Sequence, residues 1–180
     1  SRLHARKVRP GYERNRKLID FGSLSPNERG SVRDINTYDR LYASADWWFH
    51  PAYSVGAGYS HVNSSYSSVR LQASEYDADA VELNAKFQPK TGNLIGMSLR
   101  QTKGNYPNRQ LATVDNSFDQ TDSEVNGDWR LTGQSRVLGR LGYTTRKHDQ
   151  VQQRDFSGIT GRLTYNWALE GKTNINLTLR

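Results

Sequence analysis

The sequence contains no cysteine, which excludes a disulfide framework and any thiolate metal site. No stretch approaches the ~18 consecutive apolar residues of a spanning helix, so a membrane could be crossed only with strands. Apolar residues are scarce: 34% of 180 positions, with a mean hydropathy of −0.85. In a soluble domain that composition implies a thin core or partial disorder. In strands that show only one face to lipid it is ordinary. Ser1-Arg2-Leu3 opens the chain without an apolar signal region, as expected of a mature or truncated chain.

Catalytic patterns are missing as well. The sequence has no G-x-x-x-x-G-K-[ST], G-x-S-x-G or H-E-x-x-H, the spacings that cradle phosphate, raise a nucleophile or hold zinc. His4, His50, His61 and His148 are scattered, with no pair one helical turn apart, and read as surface residues. The acidic run Glu75-Tyr76-Asp77-Ala78-Asp79 lacks the glycine and closing glutamate of a calcium loop. Asp119, Asp122, Glu124 and Asp128 fit a wet strand face better than a pair of glycosidase acids. The expectation is a protein that is not an enzyme, with no catalytic residues, no metal and no cofactor.

Charge is concentrated at one end. Arg2, Arg6, Lys7, Arg9, Arg14, Arg16 and Lys17 stand against Glu13 alone, so this segment carries +6 of the net +7. The remainder is nearly balanced, which argues against a nucleic-acid partner. Arg9-Pro10-Gly11 and the Ser25–Gly30 stretch are turn chemistry. Residues 1–33 are therefore expected to be an irregular basic segment and loop, in which residues 1–9 could form the end of an earlier strand, and residues 34–180 to hold the strands.

What the chain has in abundance is alternation. Leu41-Ala43-Ala45-Trp47-Phe49, Tyr53-Val55-Ala57-Tyr59, Val81-Leu83-Ala85-Phe87 and Ile95-Met97-Leu99 take every second residue. Ser123-Val125-Gly127-Trp129-Leu131, Val137-Gly139-Leu141-Tyr143, Ile159-Gly161-Leu163-Tyr165-Trp167 and Ile175-Leu177-Leu179 continue the series. None of these 33 positions is charged, and only Ser123 is plainly polar. A period of two marks strands with one dry and one wet face. A dry face so free of charge, repeated eight times, predicts contact with lipid.

Turns support the same architecture. Short ones sit at His50-Pro51-Ala52, Gln88–Gly92, Thr132-Gly133-Gln134 and Ala168–Lys172; their markers Pro51, Pro89, Gly133 and Gly171 are spaced by 38, 44 and 38 residues. Longer polar loops are expected near 63–75, 103–117 and 147–155, with Val69-Leu71-Ala73 as a short strand extension. Short turns on one rim and long loops on the other characterise outer-membrane barrels. Phe49, Phe87, Trp129 and Trp167 each precede a short turn on the dry face, as an interfacial aromatic girdle would. Tyr59 and Tyr143 suit the opposite girdle. The predicted fold is all-β: an antiparallel up-and-down meander of about eight strands, forming the whole or part of an outer-membrane β-barrel.

The wet face then becomes a lumen. Arg40, Lys86, Arg100, Arg130, Arg136, Arg140, Arg146, Arg162 and Arg180 face Asp46, Glu82, Asp122, Glu124 and Asp128 there, a moderately positive interior. Such arginines guide an anionic polymer or cross-link to carboxylates on neighbouring strands, and the two roles are compatible. Tyr42, Tyr76 and Tyr106 offer surfaces on which sugars stack.

The run Ser74–Glu82, then Phe87-Gln88-Pro89-Lys90-Thr91-Gly92-Asn93-Leu94, then Gly104-Asn105-Tyr106-Pro107-Asn108 resembles the EpsL-like family of outer-membrane β-barrels encoded with exopolysaccharide genes. Arg9–Asn15 is also similar. The resemblance implies a bacterial outer-membrane location and a part in exopolysaccharide export. It also implies outer-membrane lipid and other export components as partners, and a longer barrel of which these strands are a portion. It carries over no catalytic residue. The competing readings are a general porin or small-solute channel of the same fold, and a soluble carbohydrate-binding β-sandwich.

Overall fold

The computed structural model describes residues 6–18, 34–109, 116–168 and 174–179. Nine strands run in chain order: β1 (Arg6–Leu18), β2 (Ile35–His50), β3 (Tyr53–Tyr66), β4 (Tyr76–Phe87), β5 (Leu94–Asn105), β6 (Phe118–Arg130), β7 (Ser135–His148), β8 (Phe156–Ala168) and β9 (Asn174–Leu179). They form one sheet in the order β1-β2-β3-β4-β5-β6-β7-β8-β9, and every neighbouring pair is antiparallel. The fold is an all-β up-and-down meander. Among the described residues β1 and β9 do not pair, and the sheet is open.

Two expectations need correction. The count is nine strands rather than about eight, because residues 6–18 are not irregular but form β1, in full register with β2 from Arg6↔Trp47 to Leu18↔Ile35. Val8, Pro10 and Tyr12 carry the period of two there, and Pro10-Gly11 disguised it as a turn. Proline removes one ladder donor and is tolerated on an edge strand, the place β1 has among the described strands. Val69-Leu71-Ala73 extends no strand either. It lies in a 3₁₀ turn, Val69–Ser74, begun by Ser68, whose hydroxyl accepts from the Arg70 N–H at 3.3 Å. Asp34 holds the approach, accepting from the Ser67 hydroxyl at 2.8 Å and the Ser68 N–H at 3.1 Å. Local serine and aspartate bonds compete with the ladder and win over a short alternation.

The two rims differ. The β2–β3 turn is Pro51-Ala52, after a bulge between Trp48 and His50. The β4–β5 turn closes with Gly92 N–H to Pro89 carbonyl at 3.0 Å, and Gly92 takes a φ of 80°, which a side chain would strain. In the β6–β7 turn Thr132 and Ser135 share a hydroxyl bond of 2.8 Å. Most of the fourth short turn, 169–173, lies outside the described residues. On the other rim Glu75 ties two long loops together, accepting from the Tyr66 N–H at 2.8 Å and the Asn108 amide at 2.5 Å.

Register decides which side chains share a face. Ala45 lies level with Ala57, Leu83, Leu99, Ser123, Tyr143 and Ile159 through six successive pairings. The eight alternating sets, found separately in the sequence, thus merge on a single face. None of the 33 residues on it is buried. Leu141 is 60% exposed and Ile159 75%. The buried hydrophobics, Val62, Ala78, Ala80 and Phe118, all lie on the opposite, polar face, with buried Asp46, Ser54, Ser60, Ser64 and Thr164. A soluble fold buries its apolar face; this sheet packs its polar side chains more closely and leaves the apolar ones out. Among the described residues no second layer covers them, and the strands form one sheet, not two.

The apolar band also crosses the strands obliquely. Its middle is Ala45 on β2 and Leu163 on β8; Ile159, the β8 residue level with Ala45, is 163 − 159 = 4 residues away. Four residues over six strand steps correspond to a tilt of about 25°, at ~3.3 Å per residue and ~4.8 Å between strands.

Candidate functional site

The polar face is the candidate site, and neighbouring strands supply its charges in interlocking pairs. Asp46 of β2, 9% exposed, takes Arg9 Nη2 of β1 at 3.1 Å and Lys86 Nζ of β4 at 3.5 Å. Lys86 reaches it across β3 because Gly56 lies between them. A Cβ at position 56 would stand 2.5 Å from Asp46 Oδ1. Arg136 binds Asp128 through both ends of its fork, with Nε to Oδ1 at 2.6 Å. Arg140 binds Glu124 through Nε. Asp122 accepts from Thr144 Oγ1 at 2.6 Å and from Gln120 Nε2 at 2.8 Å.

The remaining predicted residues have other surroundings. Arg100 lies between Glu82 and Asp122 in the register. It borders a space of about 490 Å³ with Glu124 and Arg140, and a smaller one of about 250 Å³ with Arg40 and Tyr42. Arg162 lies beside Arg140, and Arg130 beside Arg136. Among the described residues, Arg40, Arg100, Arg130, Arg146 and Arg162 make no ion pair. Arg40 instead lies 5.2 Å over the Tyr42 ring. Arg180 lies outside the described residues. Sequence reasoning missed Arg9, hidden in the segment read as irregular, and Arg109, on a loop where alternation says nothing. The acids considered for calcium do not converge: among the described residues no cluster of three or more metal-ligating side chains occurs.

Both ends of the apolar band carry aromatics. Near the short turns Trp47 meets Phe49 edge-on at 5.9 Å, Phe49 stacks on Tyr53 at 6.3 Å, and Tyr53 meets Phe87 at 4.9 Å. Trp129 lies opposite Val137 on the same face, and Trp167, 39% exposed, opposite Ile175. Toward the long loops tyrosines mark the boundary. Tyr12 donates to Asp39 at 2.6 Å and Tyr59 to Asp79 at 2.5 Å. Beyond them the face turns polar: Arg14 pairs with Asp39 at 2.6 Å and His61 with Asp79 at 2.9 Å. Tyr12, Tyr59 and Tyr143 sit level with Leu41, Ala43 and Ala45 in turn, so this border slants with the band.

No protein-family model matches the sequence, and no curated protein or solved structure is similar to it. The functional reading therefore rests on the geometry of the two faces.

Proposed function

We propose that the sheet is the wall of an outer-membrane β-barrel whose polar face lines a passage for a bacterial exopolysaccharide. The observation that carries the membrane part is the continuous apolar face, nowhere buried and bordered by aromatics at both ends. From Tyr53 to Tyr59 is six residues along β3, about 20 Å of strand. With the girdle rings added, this approaches the ~25 Å apolar band of known barrels. Water would meet this surface at a cost of ~25 cal/mol per Å², and lipid removes that cost. The band's slant of about 25° is below the usual ~35–45° strand tilt of a closed barrel. Because β1 and β9 run in the same direction, closure by antiparallel pairs alone takes an odd number of added strands.

Exopolysaccharide as the cargo is supported by the resemblance to EpsL-like proteins, together with a polar face that carries more cations than anions. The mechanism is passive. Hydrated arginines and carboxylates line the path, and the cross-strand pairs of Asp46, Asp128 and Glu124 keep the wall rigid. Nothing in this mechanism requires catalysis or a cofactor. Planar-bilayer recording with the full chain tests the proposal. A conductance that added acidic exopolysaccharide blocks reversibly is expected. A conductance indifferent to any polysaccharide would make the protein a general porin, and no conductance at all would end the proposal.

A further inference from the structure

The polar face holds six of its arginines in two different ways. Toward the short turns and at mid-strand, carboxylates hold them: Arg136 by Asp128, Arg140 by Glu124 and Arg9 by Asp46. Toward the long loops, rings do. Arg146 lies 4.2 Å over Phe118 and 5.4 Å from Phe156, Arg109 lies 4.2 Å over Tyr106, and Arg40 is over Tyr42. Among the described residues none of these three makes an ion pair.

The rings form a connected row. Tyr76 meets Tyr106 at 6.0 Å, Tyr106 meets Phe118 at 5.9 Å, and Phe118 meets His148 at 6.0 Å. Their floor is built for them. Gly104 leaves room for the ring of Phe118, against which any Cβ would collide, and Gly11 does the same for Tyr42, which stands apart from the row. Buried Ser60, Ser64, Ala78 and Ala80 continue the floor with small side chains. Phe118 is only 5% exposed and serves as the base on which Arg146 rests. Tyr42, Tyr76 and Tyr106 are half-exposed.

A guanidinium stacked on a ring keeps its edge N–H groups free, whereas one paired with a carboxylate has used them. Among the described residues Arg146 commits only Nε, to Gln120 at 2.7 Å. Flat rings beside unspent forks suit a sugar acid: the C–H face of a pyranose stacks on the ring, and its carboxylate takes the fork. Neutral sugars would use only the rings, and a free phosphate only the forks.

We infer that this row of rings and ring-stacked arginines, at the long-loop end of the polar face, is a binding site for carboxylate-bearing saccharides. It, and not the carboxylate-paired Arg136 and Arg140, engages the acidic units of the polymer. The inference rests on the proposed passage of an exopolysaccharide.

The test is a titration of the full chain in detergent micelles with short oligogalacturonates. Maltooligosaccharides of the same length and inorganic phosphate are the comparison probes. Arg109→Gln and Tyr106→Ala, both just past β5, are each expected to weaken oligogalacturonate binding about tenfold, the loss of one charge-assisted or stacking contact. Arg146→Gln is a second probe on a strand, over the Phe118 ring, with native β-sheet circular dichroism as the folding control. Arg136→Gln combined with Arg140→Gln is expected to leave affinity within about twofold. Unchanged binding in all three row variants would overturn the inference, leaving the row as packing. So would an equal loss in the Arg136/Arg140 double variant, or phosphate or maltooligosaccharide binding as tightly as oligogalacturonate. Bilayer conductance of the same preparations reports on passage alone, so a failure of the passage and a failure of the site are read separately.

Discussion

Leu141 and Leu131 are nearly equal in exposure, 60% and 59%, yet the proposed fold gives them different solvents. Leu141 on β7 lies opposite Val125 and Gly161, in the middle of the band. Leu131 follows the end of β6, where its N–H donates to the Ser135 carbonyl at 3.0 Å, at the short-turn rim. Replacing each with arginine adds the same charge at the same apparent exposure. In a bilayer, arginine costs ~2–4 kcal/mol at the midplane and ~0–1 near the interface. Leu141→Arg should therefore lose about 2–3 kcal/mol more than Leu131→Arg, a factor of roughly 30–150 in the folding constant. In water both changes should fall within about ±0.5 kcal/mol, the usual range for surface substitutions. The assay is urea-dependent folding into phosphatidylcholine vesicles, followed by tryptophan fluorescence. Equal midpoints for the two variants would refute the lipid-facing assignment. So would a Leu141→Arg protein that becomes more stable and stays monodisperse without detergent.

Two further outcomes are expected. Trp47 and Trp48 are consecutive but face opposite ways, Trp47 opposite Val55 on the apolar face and Trp48 opposite Ser54 on the polar one. With the other three tryptophans changed to phenylalanine, a protein retaining only Trp47 should be quenched by brominated lipids, and one retaining only Trp48 should not; equal quenching would contradict the assignment of faces. Gly56→Ala places a Cβ against Asp46 and Asn84 and disturbs the bridge from Asp46 to Lys86. It should lower stability by about 1–3 kcal/mol, read as a shift in the urea midpoint, whereas Gly133→Ala, with open space around it, should change little.

Much of the fold was legible because side-chain period is a local property. Eight of the nine strands could be read from alternation alone, since a residue's face depends only on its neighbours two places away. The same reasoning placed Phe49, Phe87, Trp129 and Trp167 at one rim and assigned Lys86, Arg136 and Arg140 to the polar face. It failed at β1, where Pro10-Gly11 resembles a turn, and at Val69-Leu71-Ala73, where Ser68 and Asp34 capture the backbone. It could not separate the arginines that carboxylates hold from those that rings hold. That distinction depends on which residues lie abreast or one step diagonal across strands, and hence on register.

The sequence by itself determined that strands alternate between a charge-free and a charged side, because a period of two is written residue by residue. Tertiary structure alone decided that all the charge-free sides coincide on one slanting, uncovered band. It alone brought Arg146, Phe118 and Tyr106 together from three strand ends. Both outcomes depend on inter-strand offset, and a shift of a single residue would exchange every side chain between faces.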